Sequence, residues 1–141
     1  RTRGRDGAPP LWEVNVKVVD QDRSISARLA IARGAYRSFE PGRDSELPPA
    51  QGDVQLSLDG SRRLYRDVRG TGRSETYQIT FENLVQGRKY QVFFEPIRGK
   101  QMIRVLDPTQ KSLILNGGGK YTFTAPGKTH RVRVMIPRVN S

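Results

Sequence analysis

Residues 81–94 read FENLVQGRKYQVFF, and their spacing decides between helix and sheet. Tyr90, Val92 and Phe94 alternate as the inward residues of a half-buried strand do, and Tyr77, Ile79 and Phe81 alternate in the same way just before them. Leu84 and Gly87 stand between the two runs, and glycine turns a chain at positive φ without steric cost. An aromatic placed just after such a corner predicts a tyrosine corner of the Greek-key kind. The Tyr90 hydroxyl then bonds back to the backbone a few residues upstream and pins the crossover between sheets. On this reading Leu84, Gly87 and Tyr90 are structural.

The same period of two extends through the chain. Trp12, Val14, Val16 and Val18 oppose Glu13, Asn15 and Lys17, with Trp12 as a plug in the core or at its edge. DQDRS (20–24) is a turn, after which Ile25, Ala27, Leu29 and Ile31 alternate. Val54, Leu56 and Leu58 form a third strand, ended by Asp59-Gly60. Tyr77 to Phe81 is a fourth and Tyr90 to Phe94 a fifth. Met102 to Leu106 and Leu113 to Leu115 are shorter. Asn116-Gly117-Gly118-Gly119 turns into Tyr121, Phe123 and Ala125, and Val132, Val134 and Ile136 close the chain. No segment has a helical period. Eight or nine short strands separated by turn signals predict an all-β Greek-key sandwich. It spans 11–141 as one domain, preceded by a flexible, basic, Gly- and Pro-rich arm at 1–10 (RTRGRDGAPP). A long loop, 33–53, is rich in Gly, Pro and charge, and loops of that length are often functional.

Composition narrows the chemistry. Of 141 residues 35% are apolar, which supplies one core. No apolar run approaches the ~18 residues of a membrane span. The absence of cysteine removes disulfides, thiolate metal sites and thiol nucleophiles together. No Asn-x-Ser/Thr acceptor occurs. The net charge of +11 calls for a partner or an explanation. No acidic residue follows Asp107, while Lys111, Lys120, Lys128, Arg131, Arg133 and Arg138 all do. Arginine far outnumbers lysine, which a GC-rich genome explains first and a need for forked contacts second.

VKVVDQDRSISARLAI (16–31) and LVQGRKYQVFFEPIRG (84–99) resemble two segments of bacterial transthyretin-like modules of the carboxypeptidase-regulatory type, which share an immunoglobulin-like architecture. The first is similar to that family's opening hairpin, the second to its Leu, Gly, Tyr-x-Val strand and the Arg-Gly turn after it. Arg23-Ser24 replaces the family's usual glycine in the first turn, and the loop 33–53 has no counterpart. The resemblance implies an immunoglobulin/transthyretin-like sandwich in an extracellular, periplasmic or cell-envelope setting, acting as an accessory, adhesive or assembly domain.

No catalytic or metal motif stands up to its own geometry. NGGGKYT (116–122) has Tyr121 after Lys120 where a phosphate loop needs Ser or Thr, and it leads into a strand, so a hairpin turn is the better reading. DQDRS begins like a calcium loop with Asp20, Asp22 and Ser24. Ile25 then stands at the glycine position and Ile31 at the final glutamate position. His130 is the only histidine, so a metal site or an acid–base pair would have to do without a second one. Glu82 and Glu95 could in principle serve as a carboxylate pair, but nothing singles them out. No enzyme activity, metal or other cofactor is expected.

Three functions remain. In the first, a non-enzymatic sandwich joins an extracellular or envelope assembly by protein contact or self-association. The arm, through Arg1, Arg3, Arg5, Pro9 and Pro10, adds a strand to a neighbour's sheet edge. In the second, a polyanion such as nucleic acid or an acidic or sulfated glycan binds basic groups. Candidates are Arg98, Lys100 and Arg104 near one strand pair, Arg131 and Arg133 on the last strand, and Arg62, Arg63 and Arg66 with Arg69 and Arg73 in the linker between the third and fourth strands. Tyr36, Phe39 and Tyr65 lie among these bases and could stack on a single strand. A third possibility is an accessory binding domain of a larger enzyme.

Overall fold

The computed structural model describes residues 9–33, 45–46, 54–58 and 64–140, with 45, 46, 64 and 65 by backbone only. Ten strands lie in two sheets of five that pack face to face without closing into a barrel. They are β1 (Trp12–Asp20), β2 (Arg23–Ile31), β4 (Gln55–Leu58), β5 (Leu64–Arg69), β6 (Glu75–Glu82), β7 (Lys89–Arg98), β8 (Met102–Leu106), β9 (Leu113–Asn116), β10 (Gly119–Thr124) and β11 (His130–Ile136). A two-residue strand, β3 (Ser45–Glu46), pairs with β5 from within the long loop. The mixed sheet runs β10-β7-β1-β2-β5, with β2 and β5 parallel. The antiparallel sheet runs β4-β6-β11-β8-β9. One pairing, Leu58 with Leu64, joins the sheets along one side. No helix among the described residues is long and apolar enough to cross a membrane.

The alternation predicted for each strand is the alternation of burial. Inward residues of both sheets merge into one core that includes Trp12, Val16, Leu29, Leu56, Ile79, Val92, Ile103 and Val134. Phe123 is its aromatic hub, 4.9 Å from the Phe81 ring centroid, 5.6 Å from Tyr90 and 4.6 Å from His130. Offset and tilted contacts of this kind add to the gain from area burial. Trp12 is fully buried against Tyr77, with ring centroids 6.3 Å apart.

The corner at 83–88 carries the chain from the antiparallel sheet to the mixed one. Asn83 and Gly87 adopt left-handed φ values of 59° and 85°. The Val85 N–H donates to the Tyr90 hydroxyl at 2.9 Å, and Leu84 is buried beneath it. Backbone bonds Leu84 N to Lys128 O (3.0 Å), Gly87 N to Ala125 O (2.9 Å) and Ala125 N to Arg88 O (2.9 Å) tie this corner to the β10–β11 turn. Two inter-sheet crossings thus brace one another at one end of the sandwich. Between β9 and β10 a third crossing brings Gly118 against β7, where a Cβ would lie 2.6 Å from the Phe94 carbonyl oxygen. Only glycine fits there.

The count of eight or nine strands falls short because 64–69, expected as a linker, is the strand β5. Its inward residues are charged, so it shows no apolar alternation. Arg69 donates to both Asp67 oxygens at 2.9 and 3.0 Å and to Glu75 Oε1 at 3.2 Å on the opposite sheet. Its guanidinium lies 4.7 Å from the Tyr77 ring centroid, and the Tyr77 hydroxyl donates to Ala30 O at 2.8 Å. Burial works against the Arg69 charge, but the bonds and charge of Asp67, with Glu75, hold its proton more firmly than usual. Removing one member of such a buried pair costs about 3–5 kcal/mol, because the other charge stays behind unpaired. An ionic clamp therefore does at this margin what apolar packing does elsewhere.

Tyr90→Phe keeps the ring but strands the Val85 N–H. The expected loss is about 1–2 kcal/mol in the free energy of denaturant unfolding, with an unchanged m-value. A variant as stable as the parent would remove the corner bond from the account.

Candidate functional site: a cationic face on the antiparallel sheet

The two outer faces handle charge differently. On the mixed sheet, Lys17 pairs with Glu95 at 3.2 Å, and Asn15 donates to the same carboxylate at 3.0 Å. These contacts hold the Glu95 carboxyl below its ordinary value, with the Asn15 bond as the largest cause and the Lys17 bond next. Buried Glu13 faces Arg66 at 3.5 Å and Arg28 at 3.9 Å. Charge along the centre of this face is answered locally.

The antiparallel sheet is unlike it. Because His130, Val132, Val134 and Ile136 point inward, Arg131, Arg133 and Met135 point outward. Register places Arg133 between Gln78 and Leu106, Arg131 beside Thr80, and Met135 between Thr76 and Arg104. Arg104 in turn lies opposite Ile114 on β9. Arg104, Arg131 and Arg133 are exposed and have no hydrogen bond or ion pair among the described residues. From strand geometry the three Cα positions step across the face at intervals of about 7–8 Å. Three uncompensated guanidiniums so close together repel one another and hold a positive potential above the sheet.

Beside Arg131 and Arg133 the surface dips into a groove of about 390 Å³, whose wall is the β8–β9 connection. The connection begins Asp107-Pro108-Thr109-Gln110, a sequence suited to a tight turn, with Asp at the first position and Pro at the second. Gln110 N donates to Asp107 O at 3.2 Å. The Asp107 carboxylate turns inward and accepts four bonds. They come from Thr109 N (2.8 Å), Thr109 Oγ1 (2.6 Å), Gln110 Nε2 (3.2 Å) and His130 Nε2 (2.8 Å). Gln110 Nε2 also donates to Thr122 O at 3.1 Å, which spans to the mixed sheet. Burial, the largest single influence on Asp107, disfavours its charge. The bonds from Thr109, His130 and Gln110 together outweigh it and hold the carboxyl below its ordinary value. The groove wall is thereby fastened to the core at the buried Asp107–His130 pair.

Several sequence-based expectations change. Arg98 and Lys100 do not share a strand pair with Arg104. β7 and β8 belong to different sheets, and the turn between them crosses from one to the other, with Arg98 opposite Glu13. Arg66 lies on the mixed sheet facing Glu13, and Arg69 is the inner clamp, so neither joins the cationic face. Arg1, Arg3, Arg5, Tyr36, Phe39, Arg62 and Arg63, and the Tyr65 side chain, lie outside the described residues. Of the arm, Pro9 is exposed and Pro10 buried. His130 has an acid partner that sequence spacing did not suggest, because 23 residues and two other strands separate it from Asp107. The DQDRS turn is a two-residue hairpin with Gln21 at φ 58°, and Asp20 pairs with Arg88 at 3.0 Å. No group of three or more metal-ligating side chains is gathered among the described residues.

Comparison with known protein families, curated proteins and solved structures finds no match. Of the transthyretin-like resemblance, the structure supports the sandwich architecture of two five-stranded sheets.

A carboxyl held low in the fold adds stability that is complete above its unfolded value, near 3.8, and is lost as pH falls through the lower folded value. Asp107→Asn should therefore cost about 1–3 kcal/mol at neutral pH. The gap from the parent should narrow as the pH is lowered below 4. Urea denaturation of both proteins across pH 2–7 checks this; a gap constant with pH would mean the carboxylate's charge adds nothing.

Proposed function

We propose that this chain is a non-enzymatic binding module that engages a polyanion across the outer face of its antiparallel sheet. One observation carries the reading: Arg104, Arg131 and Arg133 stand together without carboxylate partners among the described residues, whereas the central cations of the opposite face are paired. Unpaired charge on a folded surface costs self-repulsion, and a ligand that brings the counter-charge releases it. Arginine suits the task, since its planar fork meets carboxylate, sulfate or phosphate through two parallel bonds. The likeness of 16–31 and 84–99 to transthyretin-like accessory modules supports an extracellular or envelope setting.

Salt is the first test. For a nucleic acid or a sulfated glycan contacted through several charges, affinity should fall by decades between about 50 and 200 mM salt. The double variant Arg131→Glu, Arg133→Glu should abolish binding and leave the thermal transition in place, since both side chains point away from the core. Affinity flat with salt, or untouched by charge reversal, would overturn the reading.

A second reading, association through the arm, is favoured by the open edge at β9. Among the described residues this strand pairs only with β8, and Ile114 on β9 and Met102 on β8 are exposed apolar side chains beside that edge. Light scattering at about 150 and 500 mM salt separates the two readings. Strand addition predicts a mass above the monomer that survives high salt and is lost when residues 1–10 are deleted, whereas a monomer at both leaves the polyanion reading alone.

A further inference from the structure

The groove beside Arg131 and Arg133 has features that an electrostatic face alone does not need. Its lining combines two guanidiniums with the aliphatic surfaces of Leu106 and Pro108 and the polar side chains of Gln78 and Ser112. Gln78 and Ser112 are exposed and have no partner among the described residues. Gln110 spends its amide N–H groups on Asp107 and Thr122, which turns its role at the groove into that of an acceptor. Asp107 lines the same groove, but its carboxylate is turned inward with its bonds filled from within the protein, so it is not an open rival for the two arginines.

Aromatic placement separates the classes of polyanion. Tyr77, Phe81, Tyr90, Phe94, Tyr121 and Phe123 are all turned into the core. Among the described side chains none on the outer face of the antiparallel sheet is aromatic. Single-stranded nucleic acid draws much of its affinity from bases stacked on such rings, at about 1–3 kcal/mol each. A pyranose ring needs no ring partner: its C–H surface packs on aliphatic groups, and its hydroxyls both donate and accept. A carboxylate on the same ring presents two oxygens in the plane that a guanidinium fork matches.

The geometry points to an acidic polysaccharide as the ligand, with a hexuronate residue seated in the groove. Its carboxylate lies between Arg131 and Arg133. Its C–H face rests on Leu106 and Pro108, and its hydroxyls meet Gln78, Ser112 and the Gln110 carbonyl oxygen. The chain of sugars continues across the face toward Arg104, where the next carboxylate finds its cation. A cavity of about 390 Å³ lies within the range of small-ligand sites, enough for a ring and its linkages. The assignment rests on the polyanion reading above and adds the chemistry of the repeating unit.

The test uses the whole chain with three probes: a galacturonate oligomer, a neutral galactose oligomer of equal length, and a single-stranded oligonucleotide of equal charge. Two variants are compared with the parent by titration calorimetry, with thermal melts to confirm folding. Gln78→Ala with Ser112→Ala removes two of the three partners of the hydroxyls, and Arg131→Gln with Arg133→Gln removes the forks. The expected result is that the parent binds the uronate more tightly than the oligonucleotide and does not bind the neutral sugar. The alanine pair should weaken uronate binding about tenfold and leave oligonucleotide binding unchanged, and the glutamine pair should abolish both. An oligonucleotide bound as tightly as the uronate, or a uronate affinity unmoved by the alanine pair, overturns the saccharide assignment while the cationic face stands. Failure of both anions to bind, or indifference to the glutamine pair, overturns the polyanion reading itself.

Discussion

Strict alternation along β11 is the constraint from which the rest of the surface follows. A pleated strand sends successive side chains to opposite faces, so a strand that must fill a core with every second residue has no choice about the others. In β11 the core takes His130, Val132, Val134 and Ile136, and the outer face receives Arg131, Arg133 and Met135. The neighbours β6 and β8 obey the same rule, which sets Gln78, Thr80 and Arg104 beside them. A slip of one residue in any of these pairings would drive guanidiniums into the sandwich. The cationic face is thus fixed by the same requirement that fixes the core.

Two buried charged clusters tie elements of the fold together. On the side where β4 and β5 link the sheets, Arg69 spans from Asp67 to Glu75 over the Tyr77 ring. Near the Phe123 hub, Asp107 and His130 join a surface turn to the core. Asp67 takes two donors from Arg69 and Asp107 takes four from Thr109, Gln110 and His130, which offsets the cost of burying each carboxylate. These interior pairs hold elements at set positions, while the exterior arginines stay open to solvent. The same residue type therefore braces the interior in β5 and meets solvent in β11, according to whether an acid lies within reach.

Where apolar alternation was clean, the sequence was readable: β1, β2, β6, β7, β10 and β11 follow the pattern of Val, Ile, Phe and Tyr at every second position. The corner at Leu84, Gly87 and Tyr90 was readable too, because a glycine and an aromatic there have few other uses. β5 was not, since Asp67 and Arg69 occupy inward positions that a hydrophobic pattern assigns to solvent. Of the cationic face, Arg131 and Arg133 followed directly from their strand. That Arg104 joins them, and that Arg98, Lys100 and Arg66 do not, depends on which strands share a sheet. Strand order is set by long-range packing and leaves no local mark. The Asp107–His130 pair is hidden for the same reason.

The outward positions of β6, β8 and β11 carry a further consequence for how such a chain can change over time. Gln78, Arg104, Arg131 and Arg133 are exposed and stand outside the core cluster and the two interior ion pairs. Substitution there alters the lettering of the surface while the scaffold stays as it is. A sandwich of this kind is evolvable in a specific sense: its exposed outer face and its folding determinants sit on alternate residues of the same strands, so selection can revise one set without trading away the other.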